Sequence, residues 1–158
     1  MPLIDPGKTA PDFALPDQEG TTHRLSEYAG RPVVLYFYPK DDTPGCTQQA
    51  CDFEARNRDR VANAVVLGVS ILDTASKAAF AAKHELHFPL LADEDHAVAE
   101  QYGAWQEKSQ YGRTAMGIAR TTYLIGPHGT VAKRWDNVRV TGHVDEVMRA
   151  VGDLASAH

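Results

Sequence analysis

The stretch YFYPKDDTPGCTQQAC, residues 36–51, holds both cysteines of this 158-residue chain, Cys46 and Cys51. Thiols can act as nucleophiles, metal ligands or disulfide partners. Two cysteines in a chain this long do not form a disulfide scaffold. Zinc needs four ligands, and no second Cys/His pair with finger-like spacing follows. Redox chemistry is the leading reading. Thr43 suits the cap position of a helix and Pro44 its first residue, where a missing N–H costs nothing. Cys46 then falls in the first helical turn. Free N–H groups and the positive end of the helix favour an anion there, and the thiolate is the nucleophilic form of cysteine. Gly45 lets the backbone come close to a small substrate. The plainer alternatives are that Cys46 is a small buried hydrophobe and that Cys51, beside Ala50 and Phe53, is simply core.

The spacing adds a constraint. Helical positions i and i+5 lie about 8–9 Å apart between Cα atoms, whereas a disulfide needs about 7 Å or less. Cysteines 46 and 51 therefore join only if the first turns of the helix unwind. A transient bond coupled to local unfolding is allowed; a static one is not expected.

The elements around this stretch set where it sits. Residues 13–25 read as two short strands about an Asp-Gln-Glu-Gly turn, followed by a brief helical turn at Ser26-Glu27-Tyr28. PVVLYFY (32–38) and AVVLGVSI (64–71) are continuous apolar runs, as in strands covered on both faces. Helices are expected over 43–61, 74–86, 94–104 and 142–158, a short extended piece over 88–93, and a hairpin over 120–135. The order predicts an α/β fold: a mixed central sheet with helices on both faces, an N-terminal β-hairpin, and antiparallel edge strands from the late hairpin. Residues 103–119 show no clear periodicity and read as a long loop, with Trp105 and Tyr111 as candidate pocket residues. A strand ending at Tyr38-Pro39 delivers the cysteine stretch to the carboxyl edge of the sheet, where open α/β sheets place their sites.

Composition narrows the partners. The length fits one domain, 1–158. Hydrophobic residues make up 43% and charged residues 23%, with a formal net charge of -5 and no Lys/Arg run, which favours no nucleic-acid or anionic-membrane partner. The apolar stretches are too short to span a bilayer. The N-terminus lacks the charged-then-apolar pattern of a signal peptide, so the cytoplasm is expected. Asp41 and Asp42 read as a solvated loop, and His84, His87 and His96 as surface or satisfied histidines. The acids of 92–100 lack the glycine and alternation of a calcium loop and read as a charged helix start.

The run YPKDDTPGCTQQAC resembles the peroxiredoxins, specifically those of the bacterioferritin-comigratory or peroxiredoxin Q type. The signature Pro-x-x-x-Thr-x-x-Cys stands complete as Pro39, Thr43 and Cys46. APDFALPDQEG, PLLADEDHAVAEQYG and GIARTTYLIGPHGTV resemble further segments of the family, so the likeness covers nearly the whole chain. It implies a thioredoxin-like fold and a thiol peroxidase acting on hydrogen peroxide and organic hydroperoxides without metal or organic cofactor. By the same resemblance, Cys46 is the peroxidatic cysteine and Thr43 the hydroxyl that bonds the thiolate or the peroxide. Pro39 shields the pocket, and Arg120 holds the thiolate and polarises the peroxide. Cys51 is the resolving cysteine, thioredoxin the reductant, and the expected state a monomer. Two other classes are weighed: a redox-responsive sensor switched by a Cys46–Cys51 disulfide, and a thiol–disulfide oxidoreductase, against which the four-residue gap argues.

Overall fold

In a computed structural model, which describes residues 2–59 and 61–156, the chain builds a five-stranded central sheet with two small antiparallel pairs beside it. The first pair is β1 (Ala14–Pro16) with β2 (Thr22–Arg24), followed by a 3-10 turn at Leu25–Tyr28. The central strands are β3 (Val33–Phe37), β4 (Val65–Ser70), β5 (Leu90–Ala92), β8 (Thr121–Ile125) and β9 (Val131–Trp135), in the order β5-β4-β3-β8-β9. Helices are α1 (Pro44–Asn57), α2 (Thr74–His84), α3 (Ala97–Gln101) and α4 (His143–Ser156).

The apolar runs explain the middle of this sheet. Every residue of β3, β4 and β8 is buried, and period-two alternation sends successive side chains to opposite faces. Val34, Tyr36, Val66 and Leu124 meet α1, α2 and α4 through Phe53, Phe80, Val147 and Val151. Val33, Leu35, Phe37 and Tyr123 face the other way, onto Val98 and Ala99 of α3, onto Tyr102 just after it, and onto Phe13, Leu15 and Leu25. Central β3 pairs parallel with β4 and antiparallel with β8. Only β9 of the late hairpin is therefore an edge; β8 lies inside the sheet.

Several expectations change. Residues 105–118 form not a loop but a twisted ribbon, β6 (Trp105–Gln110) against β7 (Arg113–Ile118). Most described side chains of this ribbon are exposed, so no apolar period marks it in the sequence. The helix expected over 94–104 shrinks to Ala97–Gln101. His96 turns to a φ of 51°, and the Asp93 carboxylate accepts from the amides of Val98 and Ala99, which starts the helix late. Just beyond it, Gly103 has a φ of +73°, and a Cβ there would collide with the backbone of Leu3, so only glycine fits. The helix expected over 43–61 ends at Asn57, with Arg60 outside the described residues. The helix expected over 142–158 runs to Ser156, with Ala157 and His158 outside them. Among the described residues, no helix is long and apolar enough to cross a membrane.

Candidate active site

The strand β3 ends where Tyr38 donates its amide to Val69, and the chain then turns through residues 39–43 into α1. Thr43 is the cap residue, with extended backbone (φ -96°, ψ 155°), and Pro44 opens the helix. Pro44 has no N–H, so the first turn leaves the amides of Gly45 and Cys46 without helical carbonyls. Cys46 stands third in the helix, 1% exposed. Its buried sulfur thus lies at the positive end of a fourteen-residue helix.

Arg120 reaches this sulfur from the turn between β7 and β8. Its Nη2 donates to Cys46 Sγ at 3.3 Å, and its Nη1 donates to Gln49 Oε1 at 2.6 Å. The guanidinium fork thus spans one turn of α1. Gln49 is fully buried and was not singled out in the sequence. The signal that finds it is helical spacing: position i+3 from Cys46 shares its face. Gly45 makes room for the fork, since a Cβ there would lie 3.2 Å from Arg120 Nη2. The carbonyl of Arg120 accepts from the Val138 amide, which fixes the base of the side chain.

The sequence-predicted residues divide as follows. Cys46, Arg120 and Thr43 lie around the start of α1, with half-buried Pro39 at the head of the incoming segment. Thr43 occupies the cap position but does not cap with its side chain. Its hydroxyl donates back to the carbonyl of Lys40 at 2.9 Å, and its lone pairs remain open to a donor. Cys51 lies in the same helix, half-buried, and both thiols are free. Burial, then Asp52 and Glu54, push the Cys51 thiol up from its ordinary range.

The acids of this stretch are not a solvated loop. The Asp41 side chain is 2% exposed and pairs with a Lys77 that is wholly buried. Asp42 is exposed but held by Lys83 and His84. The sequence hides this because the partners lie about 36 to 42 residues away. Trp105 stacks on His96 at 4.1 Å, and Tyr111 is 95% exposed and lines a surface pocket of the ribbon with Lys108 and Arg113. His87 bonds Glu54 through its amide and Nδ1, and His84 bonds Asp42, so both are satisfied.

Chemically, the arrangement holds a buried sulfur between a helix start and a guanidinium. Such a site stabilises a thiolate and any oxygen that gains charge beside it. Comparison with known proteins agrees with that chemistry. The AhpC/TSA family model matches residues 6–134. Peroxiredoxin Bcp of Bacillus subtilis is 42% identical over 153 residues, covering 96% of this chain and 98% of that protein. Peroxiredoxin Bcp of Escherichia coli is 44% identical over 150 residues, covering 94% and 96%. Among solved structures, a Xanthomonas campestris bacterioferritin comigratory protein, studied for its alkyl peroxide reduction activity, superimposes with a TM-score of 0.90. It is 38% identical, and the match covers 96% of this chain and 99% of that one.

Proposed function

The chain belongs to the AhpC/TSA family as a peroxiredoxin, a thiol peroxidase of thioredoxin-like fold, and from that premise we propose that Cys46 is its peroxidatic cysteine and Cys51 its resolving one. The substrate is a peroxide and the electron donor a thiol. One observation carries the assignment of Cys46: the Arg120 guanidinium donates to its sulfur at the start of α1.

In the cycle we propose, the Cys46 thiolate attacks one peroxide oxygen and the O–O bond breaks. That oxygen stays on sulfur as a sulfenic acid, and the other leaves with the bonding pair and takes up a proton as water or an alcohol. Arg120 has N–H groups beside the sulfur and stabilises both the thiolate and the departing oxygen. Thr43 offers its oxygen as acceptor for the peroxide O–H, since its own proton is engaged by Lys40. Pro39 limits water at the mouth of the site. Cys51 then attacks the Cys46 sulfur, a disulfide forms and water leaves. The i, i+5 spacing within α1 demands that its first turns open for this step. A dithiol such as thioredoxin reduces the disulfide by exchange. We further propose one thioredoxin-like domain over 1–158, a monomer, working in the cytoplasm.

The test is turnover with a thiol reductant and hydrogen peroxide. C46S should lose all turnover, and full retention would remove the assignment. C51S should still consume one equivalent of peroxide and gain one oxygen on Cys46, but recycle slowly. A wild-type protein that reacts only once per chain, even with thioredoxin in excess, would instead support the redox sensor.

A further inference from the structure

The segment 39–43 carries Pro39 and Thr43, yet its acidic side chains are tied to α2 and not to α1. Asp41 Oδ2 accepts from Ser76 Oγ at 2.8 Å and lies 3.3 Å from Lys77 Nζ. Asp41 Oδ1 accepts from Tyr38 Oη at 2.5 Å. Lys77 Nζ also donates to Ser70 Oγ at 2.5 Å and reaches Tyr38 Oη at 3.3 Å. The ammonium therefore finds partners for its three protons in β4, in the residue just after β3, and in the loop itself. One residue on, Asp42 bonds Lys83 and His84 at 2.9 Å each. The start of α2 is fixed in turn by Asp73, whose carboxylate accepts from the Ser76 amide.

A buried ion pair is a weak source of stability, because two apolar side chains of like volume often serve as well or better. What it gives here is geometry. Ser70 is fully buried at the end of β4, so Lys77 refers the loop to the central sheet. None of these partners lies in α1. This matters only if α1 opens, so the inference rests on the cycle proposed above. We infer that Lys77 is a positioning residue. Through Asp41 it holds the peroxide-binding segment 39–43 on α2 and the sheet, as the stationary half of a site whose other half unwinds at each turnover.

The experiment separates the two chemical steps in K77M by rapid quench and intact mass. Gain of one oxygen reports Cys46 oxidation, and loss of two hydrogens reports disulfide closure. Displacing a substrate-positioning group by an ångström costs up to about a hundredfold. The rate constant of oxidation should therefore fall about tenfold or more, while disulfide closure stays within about twofold of wild type. A residue that served stability alone would lower the melting temperature and leave the oxidation rate of the folded protein unchanged, which would overturn the inference. An equal fall in both rates would overturn it too, since that is general loosening. Should K77M fail to fold, the doubly apolar K77M/D41L leaves no unpaired buried charge and carries the same expectation. C46S, measured alongside, isolates the underlying assignment. Oxidation that persists in C46S would overturn the cycle and this inference together. Oxidation lost in C46S but unchanged in K77M would overturn the Lys77 role alone.

Discussion

At the scale of single residues, the site turns on one guanidinium with two jobs. Nη2 serves the Cys46 sulfur, and Nη1 holds Gln49 one helical turn along. The second bond keeps the first in register, because a planar fork with one prong fixed has little freedom to swing. Losing one donor aimed at a developing oxyanion costs about 10²–10³ in rate. R120M should therefore slow Cys46 oxidation by hydrogen peroxide about 10²-fold or more in stopped flow. R120K keeps the charge but cannot span both partners, so it should fall between R120M and wild type. Oxidation by R120M within twofold of wild type would mean that the helix end alone activates Cys46. Gly45 belongs to the same account. G45A places a methyl 3.2 Å from Nη2, and the fork must shift to accept it.

At the scale of elements, α1 is two helices in one. Its second half is pinned: Phe53 is fully buried and stacks on Tyr36 at 4.6 Å, and Glu54 accepts from the amide and ring of His87. Its first half buries the small side chains of Cys46 and Ala50 in the same core and is bonded to Arg120 through Cys46 and Gln49. Opening should therefore stop near residue 52 and release Cys51. In the closed helix burial and the nearby acids hold the Cys51 proton on to higher pH than in a released chain. Above the ordinary thiol value of 9.0, the open form sheds its proton first. Closed α1 thus loses stability as pH rises through that range, and opening becomes easier. The check is the rate of Cys51 alkylation in C46S, divided by the rate in the urea-unfolded chain at the same pH. The ratio should rise between about pH 8.5 and 10; a flat ratio would mean that Cys51 reacts without opening of α1. Much of this element was legible in advance. Thr43-Pro44 marks its start, and Cys46 follows from the count. Arg120 came only through family resemblance, since a lone arginine before a strand has no local mark. The burial of Asp41 is hidden for a related reason. Two adjacent acids after a proline look solvated, and the lysine that buries one of them lies a whole β-α unit away. The ribbon at 105–118 escaped because exposed strands carry no apolar alternation to read.

At the scale of the whole molecule, the helix that closes the fold rests on a histidine that must stay neutral. His143 opens α4 and is buried. Its Nε2 bonds Thr122 Oγ1 at 2.9 Å, and the edge of its ring meets Trp135 at 5.8 Å. From this anchor α4 lays Val144, Val147, Met148 and Val151 against the sheet and α1. Burial lowers the His143 pKa to about 4; Glu146 opposes the shift, and Arg120 adds to it. An unfolded chain protonates the same ring near its ordinary 6.5. The unfolded state thus binds a proton that the folded state refuses, and stability falls as pH drops from about 6.5 towards 4. The carboxylates held low by hydrogen bonds, Asp12, Asp17 and Asp42, weaken the fold only at lower pH, around and below their ordinary 3.8. Burial holds the Asp93 carboxyl above that value, which opposes the loss in wild type and H143Q alike, so the comparison of the two isolates the histidine. Wild-type melting temperature should decline steadily between pH 6.5 and 4. H143Q keeps a polar partner for Thr122 but cannot take up a proton, so its curve should be flatter over that range and steepen only below it. Parallel curves for the two proteins would show that acid acts elsewhere in the fold. Because the His143 helix packs on α1, the decline should also appear as faster Cys51 alkylation at pH 5 than the thiol chemistry alone allows, in wild type but not in H143Q.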